Sequence, residues 1–112
     1  MQLIYHLLPI SEAVGVLERR RYEAASLETQ GFIHASGSMD QALRIANRRY
    51  AGHAALAVLC IDRARIEAPV RDEEAGDPQP FPHIFGPLNT DAIVEVRELR
   101  RDRSGRFAAR NP

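Results

Sequence analysis

The sequence predicts a single α+β domain over residues 1–112, a length that is sufficient for one hydrophobic core. Three observations lead to this class. A β-branched, aromatic and aliphatic run at 3–8 stops at Pro9 and is too short for a helix. A nearly continuous apolar run at 54–62 is typical of a strand buried on both faces. Between these runs, Ser38 and Gln41 match a capping box that begins a helix.

Two main helices are expected to flank the strands. Ser11 is expected to cap the first helix, which runs to about Arg21 and ends in three arginines. Its inward face is expected to consist of Ile10, Ala13, Val14 and Leu17. The second helix runs from the capping box to about Tyr50. Its outer face carries Arg44, Arg48 and Arg49, a group that is more typical of a solvated surface than of a binding patch.

Shorter strands fill the rest of the chain. The stretch 31–36 predicts a strand that starts at Gly31, and further strands are expected at 68–73, 81–83, 92–99 and 106–108. An exposed loop is expected at 74–80, where two prolines and a glycine preclude regular structure.

Composition narrows the class of protein. Acidic and basic residues balance at 15 each, so no net field favours nucleic acid as the main partner. No apolar run approaches the ~18 residues of a membrane span, and no signal peptide is evident, so we expect a cytoplasmic monomer or small homo-oligomer. The single cysteine, Cys60, lies in an apolar run and is expected to be a core residue.

Three histidines lie among apolar neighbours, where an imidazole needs a polar partner. They are His6 in the first strand, His34 in the stretch 31–36, and His83 after the proline-rich loop. With a strand period of two, His34 and Ser36 fall on one face. The fourth histidine, His53, follows a glycine and is expected to be exposed. The sequence leaves open whether the first three share a site or are separate core residues.

Several chemistries remain open for such a site. Three imidazoles with an open position suit zinc or iron, although no short His-x-x-x-His spacing supports a metal site. A hydrolase triad is disfavoured because Ser36 lacks the Gly-x-Ser-x-Gly elbow. The common glycine-rich phosphate loops are missing from the sequence, so any phosphate must be bound by arginine or by turn amides.

Five segments together resemble a small bacterial family catalogued as domain-of-unknown-function family 952. The segments are Tyr5-His6, Gly31-Phe32-Ile33-His34-Ala35-Ser36, Ala46-Asn47 with Tyr50, Ile61-Asp62, and Phe81-Pro82-His83-Ile84-Phe85-Gly86-Pro87-Leu88. The resemblance covers nearly the whole chain. Members usually have tyrosine where Phe85 stands, and often a tryptophan in the first helix that is missing here.

That family looks like a compact version of the ADP-ribosyltransferase fold, with split β-sheets and flanking helices around a cleft for NAD. Tyr5-His6 and Ile33-His34-Ala35-Ser36 are similar to motifs of RNA 2′-phosphotransferases. The resemblance implies that Tyr5, His6 and Ser36 bind NAD, with His6 hydrogen-bonded to a ribose. It implies catalytic roles for His34 and His83, and Glu73 could supply the catalytic carboxylate or be a solvated residue at a strand end.

Two departures from the ADP-ribosyltransferase pattern bear on function. Leu7-Leu8 replaces the Gly-Thr that follows the first histidine, and no Gln/Glu-x-Glu motif is present. The first hypothesis is a domain that binds NAD or a related small-molecule nucleotide and transfers ADP-ribose or phosphate. The second is a non-enzymatic ligand-binding or interaction module that retains the fold, and the third is a histidine-ligated metalloenzyme.

Overall fold

A computed structural model describes residues 1–109 of the chain. The fold mixes α and β structure, with a curled arrangement of antiparallel strands and few helices. Within the described residues the strands are β1 Leu3–Pro9, β2 Arg21–Tyr22, β3 Ile33–His34, β4 Ala55–Asp62, β5 Val70–Glu73, β6 Phe81–Ile84, β7 Leu88–Asn89, β8 Ile93–Arg101 and β9 Phe107–Ala109. The α-helices there are α1 Ile10–Ala13, α2 Ala25–Gln30 and α3 Met39–Arg49. No helix in this part of the chain is long and apolar enough to cross a membrane.

The larger sheet has the strand order β1-β4-β8-β9, and all of its pairs are antiparallel. β4 lies inside this sheet, and six consecutive residues from Leu56 to Ile61 are buried. This confirms the prediction of a strand covered on both faces. Cys60 is 2% exposed within one of the two core clusters, as expected for a small core residue.

A second sheet of three strands, in the order β3-β6-β5, carries the other predicted site residues. His34 and His83 are direct partners in the antiparallel pair of β3 and β6. Ile33 and Ala35 point into the core, which confirms the predicted alternation, but the strand does not start at Gly31: β3 is Ile33–His34, and Gly31 is the left-handed C-cap of α2. A pair of short strands, β2 and β7, completes the described architecture.

The predicted helix from Ser11 to Arg21 is wrong. α1 ends at Ala13, and Gly15 adopts a left-handed φ of 78°, which an α-helix does not tolerate. A short 3-10 turn at Val16–Glu18 follows, and Arg21 then pairs with Asn89 as part of β2. Two residues assigned to the inward face of the helix are exposed, Val14 at 74% and Leu17 at 59%. One long helix therefore flanks the sheets where two were predicted.

The second predicted helix is confirmed as α3. Ser38 is its N-cap, and the Ser38 hydroxyl accepts a hydrogen bond from the Gln41 backbone N–H. Ala42 and Ala46 are fully buried against the larger sheet, in the core cluster that also contains Leu56 and Leu99. The helix thereby covers one face of β4.

Candidate functional site

The two main sheets are joined by a backbone bridge near the start of β1. Tyr5 of β1 and Ser36 exchange both backbone hydrogen bonds, with N···O distances of 2.8 and 2.7 Å. Beyond Tyr5, the edge of β1 that faces away from β4 borders a cleft. The cleft therefore begins where β1 and β3 part.

The cleft has a volume of about 490 Å³, which is within the range of small-molecule sites. Its walls come from β1, α1, α2, β3, the end of α3 and β6. Five of the six site residues predicted from the sequence line it: Tyr5, His6, His34, Ser36 and His83. The three histidines thus meet at one cleft.

His6 lies at the floor of the cleft, with 6% of its surface exposed. Its Nδ1 contacts the His34 carbonyl oxygen, which only accepts hydrogen bonds, so Nδ1 carries the proton. In the neutral ring Nε2 then accepts from the Tyr22 hydroxyl at 2.9 Å. Burial lowers the pKa of His6 to about 4, and the His34 backbone contact only partly opposes that change. His6 is consequently a neutral residue whose two ring nitrogens are both engaged.

His34 and His83 form a contiguous aromatic wall with Phe32. The rings of His34 and His83 are nearly perpendicular, with centroids 5.5 Å apart. Phe32 stacks on His83 at 4.0 Å and meets the His34 ring edge at 4.7 Å. Burial, followed by the charges of His83 and Arg49, lowers the pKa of His34.

Each histidine of this wall has one ring nitrogen fixed by a polar side chain. His34 Nε2 lies 3.2 Å from the Gln30 amide oxygen, which can only accept. His83 Nδ1 lies 2.8 Å from a carboxylate oxygen of Glu73. In the neutral tautomer that donates to Glu73, the lone pair of His83 is on Nε2. The second ring nitrogen of His83 has no partner among the described residues, so it is available to a ligand.

Glu73, the sixth predicted site residue, does not line the cleft. Its side chain is 46% exposed and contacts His83, which does line the cleft. Catalytic and binding roles for these six residues stay predictions. Five of the residues line the cleft, and Glu73 instead contacts His83.

Two hydroxyl groups predicted to bind a nucleotide lack hydrogen-bond partners in the described part of the chain, those of Tyr5 and Ser36. Ser36 as a whole is 4% exposed, yet residues 1–109 contain no fully buried side-chain oxygen or nitrogen without a partner. Its hydroxyl therefore retains access to the cleft, where it is available as a donor and acceptor.

Among the cleft-lining residues that sequence reasoning did not assign to the site are the charged or hydroxyl-bearing side chains of Glu12, Tyr22, Arg49 and Tyr50. The sequence alone does not predict the position of Tyr22, because that position depends on the long-range pairing of β2 with β7. Arg49 was expected on the solvated outer face of the helix, but it lines the cleft, because it lies one turn after the cleft-lining Ile45 on the same helix face.

A metal centre is not formed by the part of the chain that the structure describes. In residues 1–109, no group of three or more histidine, cysteine, aspartate or glutamate side chains is arranged to hold an ion. Both nitrogens of His6 have protein partners, which is incompatible with a three-imidazole site in this conformation.

Residues 7–96 match the family described as Protein of unknown function (DUF952). The chain belongs to the DUF952 family. The matched region contains His34, Ser36, Glu73 and His83, and it begins one residue after His6. A comparison with curated proteins finds no match.

Solved structures of a similar protein share the fold of this DUF952 chain. The crystal structure of Protein CC0527 from Caulobacter crescentus is 27% identical, with a TM-score of 0.81 over 95% of this chain and 93% of that one. The solution NMR structure of CC0527 is 28% identical, with a TM-score of 0.77 over 95% and 91% of the two chains. The fold described above is therefore one that has been observed experimentally.

Proposed function

We propose that this protein binds NAD or a related nucleotide in the cleft and transfers ADP-ribose or phosphate from it. The observation that carries the proposal is the convergence of His6, His34 and His83 on one cleft, although they are distant in sequence. His34 and His83, beside the free hydroxyl of Ser36, are suited to hydrogen bonding and proton transfer on a polar ligand, whereas His6, whose two ring nitrogens have protein partners, forms the neutral floor.

The aromatic wall supports a ligand with a flat ring. Phe32, His34 and His83 present ring faces and edges to the cleft, and such surfaces stack favourably on nicotinamide or adenine. The unpartnered hydroxyl of Ser36 is suited to a ribose, whose hydroxyl groups both donate and accept.

The open edge of β1 supports binding of the nicotinamide carboxamide in the same cleft. The backbone N–H and C=O of Tyr5 point away from β4, since both bond to Ser36. In an antiparallel ladder those of Leu7, two residues later, point the same way and so face the cleft. A neighbouring donor and acceptor match the amide group of nicotinamide. This contact needs only backbone atoms, so the leucine at this position does not prevent it.

His83 and Glu73 support a transfer step. The bond between ribose carbon and nicotinamide nitrogen would break with its electron pair going to nicotinamide, while the acceptor oxygen bonds to that carbon. The acceptor proton would pass to Nε2 of His83, and the Glu73 carboxylate on Nδ1 would stabilise the resulting imidazolium. Glu73 therefore acts in this proposal through His83.

One observation favours a second candidate, a binding module without catalysis. Of the residues that line the cleft, Glu12 is the sole carboxylate, and it lies near Tyr22 and Tyr50, whose pKa values it raises after burial. A carboxylate beside the ribose normally stabilises the positive charge that develops when a glycosidic bond breaks. A cleft without one beside its histidines would bind a nucleotide and leave it intact.

NMR titration with NAD at millimolar concentrations tests binding. The proposal predicts shifts of the His34 and His83 imidazole signals that saturate, and a weaker affinity for His34→Ala. His53→Ala is the matched control, because His53 is exposed and does not line the cleft. Absence of saturable shifts in the unmodified protein would overturn the proposal. Nicotinamide release in the presence of candidate acceptors then separates the enzyme from the binding module.

A further inference from the structure

Arg49 is the sole cationic side chain among the residues that line the cleft. It is the last residue of α3 and is exposed, and Ile45, one turn earlier on the same helix face, also lines the cleft. Its position at the rim allows the long side chain to reach inward while its guanidinium remains hydrated.

The Arg49 guanidinium has no acidic partner in residues 1–109, in contrast to other arginines of the fold. Arg44 pairs with Asp77 at 3.0 Å, and Arg63 pairs with Asp72 at 2.7 Å. Glu12, the carboxylate of the same cleft, makes no ion pair within 4.0 Å among the described residues. The five N–H donors of Arg49 are consequently available to an anion.

The charge of Arg49 affects the pKa values of other residues that line the cleft. It contributes to the lowered pKa of His34, after burial and the charge of His83, and it lowers the pKa of Tyr50 against the larger effects of burial and Glu12. Arg49 and His34 line the same cleft, so an anion bound beside Arg49 lies in the same cavity as the imidazole of His34.

We infer that Arg49 is the phosphate-binding residue of the cleft, which selects phosphorylated nucleosides over nucleosides and free bases. This inference rests on the proposed function, which supplies the aromatic wall for the base. A phosphate monoester or pyrophosphate matches the planar fork of a guanidinium, and such charged hydrogen bonds are stronger than neutral ones. Apart from the Glu12 carboxylate, which would repel an anion, the other polar lining groups of the described cleft are hydroxyls, imidazoles, an amide and backbone groups.

The experiment compares two nucleotides with their nucleosides: AMP with adenosine, and nicotinamide mononucleotide with nicotinamide riboside. Dissociation constants are measured by calorimetry or NMR for the unmodified protein, Arg49→Gln and Arg48→Gln. Arg48 is the matched control, since it shares the last turn of α3 and the exposure of Arg49 but does not line the cleft.

We expect the unmodified protein and Arg48→Gln to bind at least one nucleotide about 10- to 100-fold more tightly than its nucleoside. Arg49→Gln should bind that nucleotide and nucleoside about equally, with the nucleoside affinity unchanged. The pKa of His34 should also rise when the nucleotide binds, since the added negative charge favours the imidazolium.

Four results would overturn the inference, and they separate it from the proposed function. Equal affinity of the unmodified protein for nucleotide and nucleoside, or a preference that persists in Arg49→Gln, overturns the role of Arg49 and leaves nucleotide binding intact. Equal loss of preference in both variants shows a nonspecific charge effect. If none of the four compounds binds the unmodified protein, the proposed function fails and this inference fails with it.

Discussion

Glu73 and His83 are joined by a hydrogen bond of 2.8 Å between a carboxylate oxygen and Nδ1, across the paired strands β5 and β6. The histidine is buried and the glutamate half exposed, so the pair links the aromatic wall of the cleft to the outer surface of the protein. A carboxylate in this position fixes the tautomer and the orientation of the ring.

The first prediction concerns the charge of this pair. Glu73→Gln keeps an oxygen that can accept from Nδ1–H but removes the negative charge that would stabilise an imidazolium. If His83 accepts the proton during transfer, we expect the rate of nicotinamide release to fall about 10- to 100-fold, with NAD affinity nearly unchanged. Initial rates and a separate NAD titration measure the two quantities.

Glu74→Gln is the control for this prediction, because Glu74 is adjacent, exposed and without a partner among the described residues. A rate that Glu73→Gln leaves unaltered would refute proton transfer through the pair. Equal slowing by both variants would show that only the general charge of the strand matters.

The second prediction concerns pH and His6. Its pKa is about 4 in the folded protein against 6.5 in the unfolded chain, so the unfolded state binds more protons between these values. Stability should therefore rise from pH 4 to 6.5 and be complete above that range, with a gain of up to about 3 kcal/mol from this residue. The lowered pKa of His34 adds a change of the same sign.

Urea unfolding between pH 4 and 8 measures this dependence. His6→Gln should be less stable at pH 8 but should show a shallower rise across the window, whereas His53→Gln should reproduce the parent curve. If the unfolding free energy of His6→Gln rises with pH as steeply as that of the parent protein, another group is responsible for the titration.

The structure explains why part of the fold was predictable. β4 and α3 carry their signals locally, in a continuous apolar run and in the capping contact between Ser38 and Gln41. The helix predicted at 11–21 does not form, because Gly15 is left-handed and β2 pairs with the distant β7. The helical pattern in the sequence reveals neither feature. Arginines at its end look like favourable helix-terminal charges, but Arg21 belongs to a strand.

The candidate site was predictable to a similar extent. His6, His34 and His83 were recognisable because each lies among apolar residues and needs a partner. That Glu73 would contact His83, and not the cleft, depends on the register of β5 against β6, in which Arg71 is opposite His83. Such registers are set by long-range packing, which a single sequence does not display.

The third prediction concerns the hydroxyl of Tyr22, which donates to His6 Nε2 at 2.9 Å. Tyr22→Phe keeps the ring and leaves Nε2 of a buried imidazole without its donor. We expect a loss of about 1–3 kcal/mol in the free energy of unfolding at pH 7. Tyr50→Phe is the control, since the Tyr50 hydroxyl has no hydrogen-bond partner in residues 1–109, and it should be close to neutral. Denaturant unfolding of both variants measures the two changes in stability. Equal changes would contradict the hydrogen bond from Tyr22 to His6.

The last prediction concerns Gln41, which fastens the loop at 74–80 to the start of α3. Its side chain is fully buried; the amide oxygen accepts from Gly37 N–H at 2.7 Å, and the amide nitrogen donates to Asp77 at 3.1 Å and to the Gln79 carbonyl at 3.0 Å. Gln41→Leu has similar volume but leaves these groups unpaired, so we expect a loss of about 2–3 kcal/mol in unfolding free energy.

Hydrogen exchange locates the effect of this change. In Gln41→Leu the Gly37 amide should exchange faster. Arg44→Gln removes the ion pair between the partly exposed Arg44 side chain and the covered Asp77 side chain, whose hydrogen bonds from Gln41 and Gln79 remain, so it should leave Gly37 protected. Because the loop leads directly into β6, Gln41→Leu should also broaden the His83 imidazole signal in NMR spectra. Unchanged protection of Gly37 would show that the loop is held by other contacts.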